Sequence, residues 1–381
     1  MADLPDTLTR RNALKLLGTT TAAAGLTGVA AGDLSGQTTR VNVGFDNSSA
    51  KQAALDLADT LHWEFAWGAV TISLPTAAID TLSGVRGIRY VEVDGTMEAI
   101  AQDLPWGVDR TDAEVAHAAG DTGAGADIAI IDTGIDQFHA DLADNLGNGR
   151  AFTGPIATSN WQDDNGHGTH CAGIADAIDN DTGVVGVSTN ATLHAVKVLT
   201  AAGTGMTSDV AKGIEWVGDQ GFDVGSLSLG GGASETLKEA VEYTTGKGVL
   251  LVAAAGNDGP CTDCVGYPAA YPEVVAVSST NQNDGLSSFS SQGPEIDIAA
   301  PGSNIYSTYT GGSYATLSGT SMACPHVSGA AGQLMAQGQS ASQARNTLLS
   351  TAEDIGLSAN ESGAGLLDVA AALGHNSGDD L

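Results

Sequence analysis

From residue 101 onward the sequence predicts an α/β fold of three layers, with a mostly parallel central sheet between helices, preceded by a small α+β unit. Three observations predict it. Short, unbroken apolar runs recur at Ile128 to Ile131, Leu193 to Leu199, Val224 to Leu229, Val249 to Ala254 and Val274 to Val277. Runs of this kind, without polar alternation, suit strands buried on both faces. Each is followed by a helix-compatible stretch or a glycine-rich turn, the alternation that carries parallel strands through helical crossovers. The chain has 51 glycines in 381 residues, which suits a globular fold with many tight turns.

Residues 40 to 100 form a separate block. It opens with Val41-Asn42-Val43-Gly44-Phe45, continues in a helical pattern over Ala50 to Leu61, and closes with Ile88-Arg89-Tyr90-Val91-Glu92-Val93-Asp94. Strand, helix and strand in so short a span predict a small α+β unit. Residues 1 to 31 have the form of an export signal: Thr9-Arg10-Arg11-Asn12-Ala13-Leu14-Lys15, then a small-residue, mildly apolar stretch with a candidate cleavage site at Val29-Ala30-Ala31. The paired arginines resemble a twin-arginine signal, with Ala13 standing where a bulky apolar residue is usual. Nothing downstream is long and apolar enough to span a membrane, so no membrane partner is expected.

The charge is −31, from 14 basic and 45 acidic residues. After residue 100 there are 7 basic and 34 acidic residues, so the acidity belongs to the main body. A polyanion of this kind repels nucleic acid. At molar salt the Debye length falls to about 3 Å and self-repulsion is screened. Scarce lysine with abundant aspartate resembles proteins of salt-loving organisms; the plainer alternative is an ordinary acidic protein.

Three segments lie where strand ends or helix starts are expected. Asp132-Thr133-Gly134-Ile135-Asp136 follows an apolar run; Asn165-Gly166-His167-Gly168-Thr169-His170-Cys171-Ala172-Gly173 precedes a helix-compatible stretch; Gly319-Thr320-Ser321-Met322-Ala323-Cys324-Pro325-His326 opens a long Ala/Gly-rich helix. Singly, each reads as a strand-ending acid, a helix-capping residue or a serine near a helix start. Together they supply an acid, a base and a nucleophile. Peptide hydrolysis needs these three, because a serine hydroxyl is a poor nucleophile until an imidazole takes its proton and a carboxylate orients that imidazole.

The order Asp, His, Ser with these flanking words resembles the subtilisin-like serine proteases, and in view of the charge the halophilic, secreted, halolysin-like members. The likeness extends from Ala101-Gln102-Asp103-Leu104-Pro105-Trp106-Gly107, similar to a mature start, to Gly363-Ala364-Gly365-Leu366-Leu367-Asp368, similar to its end. The resemblance implies a secreted, monomeric endopeptidase of broad specificity, with Asp132, His167 and Ser321 catalytic and an oxyanion hole made by Asn257 and the Ser321 backbone N–H. It implies that protein substrates pair with Gly203-Thr204-Gly205 and Ser228-Leu229-Gly230-Gly231, that Gly266 floors the S1 pocket, and that Asp258 lies at its rim. It further implies a structural calcium ion held by side chains of Gln102, Asp141 and Asn180 and carbonyls of Ile178, Thr182 and Val184, with no organic cofactor; the alternative for that loop is a solvated acidic turn. Residues 32 to 100 are similar to the inhibitory, folding-assisting propeptide of the family, cleaved near Ile100-Ala101 by Ser321 itself.

In an exported protein Cys261 and Cys264 favour a disulfide. Cys171 and Cys324 default to small buried hydrophobes, although as neighbours of His167 and Ser321 they could expose the site to oxidants or mercurials. His170, His139, His194 and His326 are read as structural; His-Gly-Thr-His lacks the Glu and the spacing of a zinc-protease helix. A serine esterase is disfavoured, since Ser321 is not in a Gly-x-Ser-x-Gly elbow. A catalytically inactive protein on the same scaffold remains the alternative from another class.

Overall fold

The computed structural model describes residues 38–95 and 102–376, which fall into two compact units. The expected export signal and the expected cleavage site at Ile100-Ala101 lie outside the described residues.

The smaller unit runs β1 (Thr38–Phe45), α1 (Ser48–Asp56), β2 (Thr60–Phe65), β3 (Ala69–Pro75), α2 (Ile79–Ser83) and β4 (Ile88–Val93). Its four strands form a sheet in the order β2-β3-β1-β4, with every pairing antiparallel. The helix expected over Ala50 to Leu61 ends at Asp56, and Leu61 belongs to β2 instead. The physical reason is β2's sequence, Thr-Leu-His-Trp-Glu-Phe, rich in residues that fit a pleated surface better than a helix. Alternate β1 residues Val41 and Val43 join Ile72, Leu74 and Leu82 in the core, as period-2 side-chain direction requires.

The larger unit contains α3 (Ala113–Ala119), β5 (Asp127–Asp132), β6 (Arg150–Ala151), α4 (His167–Asp176), β7 (Thr192–Lys197), α5 (Thr207–Gln220), β8 (Val224–Leu227), α6 (Glu235–Thr245), β9 (Leu250–Ala254), β10 (Val275–Thr280), β11 (Ile298–Pro301), β12 (Ile305–Tyr309), β13 (Ser313–Leu317), α7 (Thr320–Ala336) and α8 (Ala341–Thr351). Seven strands make a sheet in the order β11-β10-β9-β8-β5-β7-β6 with parallel pairings throughout, and β12 and β13 form a separate antiparallel hairpin. All five expected runs became strands. Alternation along β5 sends Ile128 and Ile130 into a core shared with α4 and α7, and Ala129 and Ile131 into one shared with α5 and α6. Helices thus cover both faces, as the unbroken apolar runs predicted.

The position of β5 sets up the site. It pairs with β7 on one side and β8 on the other, so the chain reverses its direction of travel across the sheet there. In open α/β sheets the crevice at the carboxyl ends of such strands is where ligands bind.

Candidate active site

Asp132 is the last residue of β5 and is fully buried. Both its oxygens face His167, whose Nδ1 stands 2.8 Å from Oδ1 and 2.9 Å from Oδ2. The Thr133 N–H also donates to Oδ1 at 2.7 Å. His167 opens α4, brought against β5 through the Gly168 N–H, which donates to Thr133 Oγ1 at 2.9 Å. A β-carbon on Gly168 would collide with the Gly134 carbonyl, and Gly134 holds φ at +108°. The glycines following Asp132 and His167 are therefore what let strand and helix meet so closely.

The Asp132 carboxylate holds the His167 imidazolium well above the usual histidine range, against the desolvation that opposes it. One turn further along α4, His170 has no such partner. Its Nε2 contacts the Ile305 and Ala315 carbonyls at 3.1 and 3.0 Å, and burial pushes its pKa down to about 4. His326, with Nδ1 2.8 Å from the Met322 carbonyl, is likewise pushed to about 4. His139 is buried against the Ser313 carbonyl, and His194 stacks on Phe222.

Ser321 lies in the first turn of α7. Its hydroxyl donates to the Ser228 carbonyl at 3.2 Å, while its own carbonyl accepts from Ser228 Oγ at 2.8 Å and Cys171 Sγ at 3.4 Å. Cys171 Sγ is also 4.0 Å from His167 Nδ1, so serine backbone and imidazole border one sulfur. Both Cys171 and Cys324 are fully buried, and burial raises both thiols, Cys324 to about 11. Burial of this kind favours the protonated thiol in both.

Asn257 follows β9. Its Oδ1 accepts from the Thr320 N–H and hydroxyl at 2.9 and 3.1 Å, which fixes the amide so that Nδ2 is its remaining donor. The point where a β-carbon on Gly319 would sit is 3.5 Å from Asn257 Nδ2 and 3.7 Å from the Ser321 nitrogen. Two donors therefore flank one space that only glycine leaves open.

A cleft of ≈ 390 Å³ begins at His167 and is lined by Gly203, Thr204, Gly205, Ser228, Leu229, Gly230 and Gly231, with Leu199, Val210 and Leu237 as apolar wall. The run expected from Val224 to Leu229 leaves the sheet after Leu227, which turns Ser228 to Gly231 into cleft wall. Gly231 bridges to Tyr267, and the Gly266 N–H donates to Ala255 O. A β-carbon on Gly266 would stand 3.7 Å from Ala255 O and 3.8 Å from Gly231 O, so this position lies between the backbone of Ala255 and that of Gly231, which lines the cleft. Asp258 is exposed beside Asn257.

The expected cation ligands also meet. Gln102 Nε2 lies 2.8 Å from Ile178 O and 3.1 Å from Val184 O; Asp141 is buried, with Oδ1 3.4 Å from Asn180 Nδ2 and Oδ2 accepting from the Val184 N–H and the Tyr314 hydroxyl. The Thr182 N–H donates to Asn180 Oδ1 at 3.1 Å. In the loop after Asn257, Cys261 and Cys264 face each other with Cα atoms 6.2 Å apart.

Sequence reasoning missed Asp163. Buried, it accepts from the Asn165 and Gly166 N–H groups through Oδ1 and from the Thr169 N–H and hydroxyl through Oδ2, so it ties down the loop that delivers His167. The signal was an aspartate in the loop shortly before a helix start, three residues ahead of the Gly166 N-cap, where a carboxylate can still accept from first-turn N–H groups.

The Subtilase family profile matches residues 123–366. The chain belongs to the subtilase family. It is 46% identical over 307 residues to an alkaline protease of Alkalihalobacillus alcalophilus, covering 80% of this chain and 78% of that protein. To subtilisin Savinase of Lederbergia lenta it is 48% identical over 276 residues, 71% of this chain and 99% of that one, and to subtilisin E of Bacillus subtilis 41% over 309 residues, 80% of each. This subtilase is a serine endopeptidase, with proteins as its substrate class.

Proposed function

We propose that Asp132, His167 and Ser321 form the catalytic triad. The observation that carries this is the buried Asp132 carboxylate engaging Nδ1 of a histidine that lines the cleft, which leaves Nε2 as the basic nitrogen. In the reaction the Ser321 hydroxyl turns from the Ser228 carbonyl to His167. Oγ attacks the scissile carbonyl as Nε2 takes its proton, and the oxyanion is received between Asn257 Nδ2 and the Ser321 N–H. Nε2 then protonates the leaving amine as the C–N bond breaks, and water releases the acyl group by the reverse proton path. Substrate lies extended along Gly203 to Gly205 and Ser228 to Gly231, recognised through main-chain hydrogen bonds, which favours breadth over selectivity. Gly266 leaves the S1 pocket deep enough for a large apolar side chain, with Asp258 disfavouring acidic ones. The test is casein digestion at molar salt by wild type and by Ser321→Ala: wild type digests and the variant loses about 10⁵-fold or more in turnover, whereas an active variant rejects the triad.

We further propose that Gln102, Asp141, Ile178, Asn180, Thr182 and Val184 would hold Ca²⁺. The donor set fits: an all-oxygen cradle with a buried carboxylate, in which turning the Gln102 amide over puts its oxygen beside two carbonyls. The ion would supply stability and no chemistry. Chelation by EGTA lowers the thermal midpoint of wild type and has little effect on Asp141→Asn; equal lowering in both contradicts the assignment.

The unit at residues 38–95 is proposed as the inhibitory propeptide, removed near Ile100-Ala101 after export through the twin-arginine route. Matches of 307 and 309 residues exceed the length that follows residue 100 in this 381-residue chain, so they reach into that unit. The net charge of −31 supports a secreted enzyme adapted to high salt, acting as a monomer. A Cys261–Cys264 disulfide closes the loop between Asn257 and Gly266.

A further inference from the structure

Lys197 is the only buried lysine among the described residues, its side chain 7% exposed in a chain with so few lysines. It ends β7 directly beside Asp132 in the parallel ladder, and the Val198 and Leu199 N–H groups both donate to the Asp132 carbonyl. Its three ammonium protons have three acceptors: Thr133 O at 2.6 Å, Asp164 Oδ1 at 2.7 Å and Leu199 O at 3.0 Å. Each acceptor belongs to a different part of the site. Thr133 follows Asp132, Asp164 lies in the loop that delivers His167, and Leu199 lines the cleft. A buried ammonium is costly unless fully hydrogen-bonded, and here a single charge is satisfied only while all three segments keep their places.

We propose that Lys197 is a positioning residue for the hydrolytic reaction, clamping the Asp132 strand end, the His167 loop and the cleft wall into one unit and opposing, with its charge, the acidic groups around His167. The inference rests on the triad reading. His167 contacts Asp132 from β5 and Cys171 from its own helix and is coupled to His170 one turn on, while Asp163 and Asp164 belong to the loop just before it, which Lys197 reaches from β7 through Asp164. Carboxylates outnumber cations, so removing the ammonium strengthens the field that keeps the imidazole protonated, and removing Asp164 weakens it.

The experiment measures kcat and KM against pH with a peptide anilide, per titrated active site, for wild type, Lys197→Met, Lys197→Arg and Asp164→Asn. Lys197→Met lowers kcat about tenfold or more with KM little changed, and moves the acid limb of kcat/KM to higher pH. Lys197→Arg restores the limb but not the rate, because a planar guanidinium cannot meet three diverging acceptors. Asp164→Asn, at a side chain 56% exposed, keeps an amide oxygen as an acceptor for Lys197 and moves the limb to lower pH. It carries the test should Lys197→Met not fold. Unmoved acid limbs in the variants that fold, or a loss confined to thermal stability, overturn the proposal. An active Ser321→Ala variant would instead defeat the triad reading, whereas an inactive one alongside wild-type-like Lys197 and Asp164 variants defeats this inference alone.

Discussion

The two units use burial in opposite ways. In the smaller one the buried side chains are apolar except for Thr71, and the ion pairs Arg40–Asp94, Lys51–Glu64 and Arg89–Asp46 are at least partly exposed. In the larger one Asp132, Asp136, Asp141, Asp163, Asp176, Lys197 and four histidines are buried. Apolar burial alone is enough to specify a sheet and two helices. Buried polar groups cost free energy unless each finds its partner, and the larger unit spends much of its polar interior around the carboxyl end of β5, where geometry matters to chemistry. The smaller unit also leaves Trp63 and Trp67 63% and 66% exposed, and a unit of this size draws limited stability from its core.

This contrast predicts that substitutions in the larger unit's polar centre change turnover, while those in the smaller unit's core change folding. The largest of these effects is that of Asp132→Asn, which lowers kcat by about 10⁴. It also reveals the sign of the electrostatics. His167 must be neutral to act as base, so wild-type kcat/KM falls as pH drops through a pKa raised above 6.5 by Asp132. Without the carboxylate the residual activity has its acid limb at lower pH. The same raised pKa makes the imidazolium–carboxylate pair a stabilising contact below pH 6.5 that is lost as pH rises through the folded-state pKa. An unshifted limb in Asp132→Asn would break this part of the comparison.

Next in size, Asn257→Leu costs about 10²–10³ in kcat with KM nearly constant, since its amide meets charge that exists only in the transition state. Steady-state kinetics on the processed enzyme decide it; a rise in KM alone would make Asn257 a substrate-binding residue. Smallest in its effect on turnover is Ile72→Ala in the other unit. On the propeptide reading it destabilises that unit by about 2–5 kcal/mol and lowers the yield of processed enzyme, yet leaves kcat/KM of processed molecules as in wild type. Altered kinetics in those molecules would contradict the division.

Much of this was legible in the residues. The runs around Ile128, Leu193, Val224, Val249 and Val274 needed only burial on both faces to be read as strands, and the segments holding Asp132, His167, Ser321 and Asn257 lay at their ends or at helix starts. β11, β12 and β13 carry no clear apolar signal, because Ile298–Pro301 is short and Ile305–Tyr309 and Ser313–Leu317 are interrupted by hydroxyl residues. The helical spacing runs on to Leu61, past the helix end at Asp56 and into the first two residues of β2, because Leu57, Ala58 and Leu61 continue it. The Ser321 hydroxyl resting on the Ser228 carbonyl, and Lys197 held by three acceptors, could not be anticipated. Both depend on where backbone carbonyls from distant segments arrive, and no spacing encodes that.

The central claim is that Ser321 is the nucleophile activated by His167. Treating the processed enzyme with a fluorophosphonate and locating the adduct by peptide mass spectrometry tests it most directly. A single adduct on Ser321, abolished in His167→Ala, is the predicted result; an adduct on Ser228 or elsewhere, or labelling of Ser321 undiminished without His167, would contradict it.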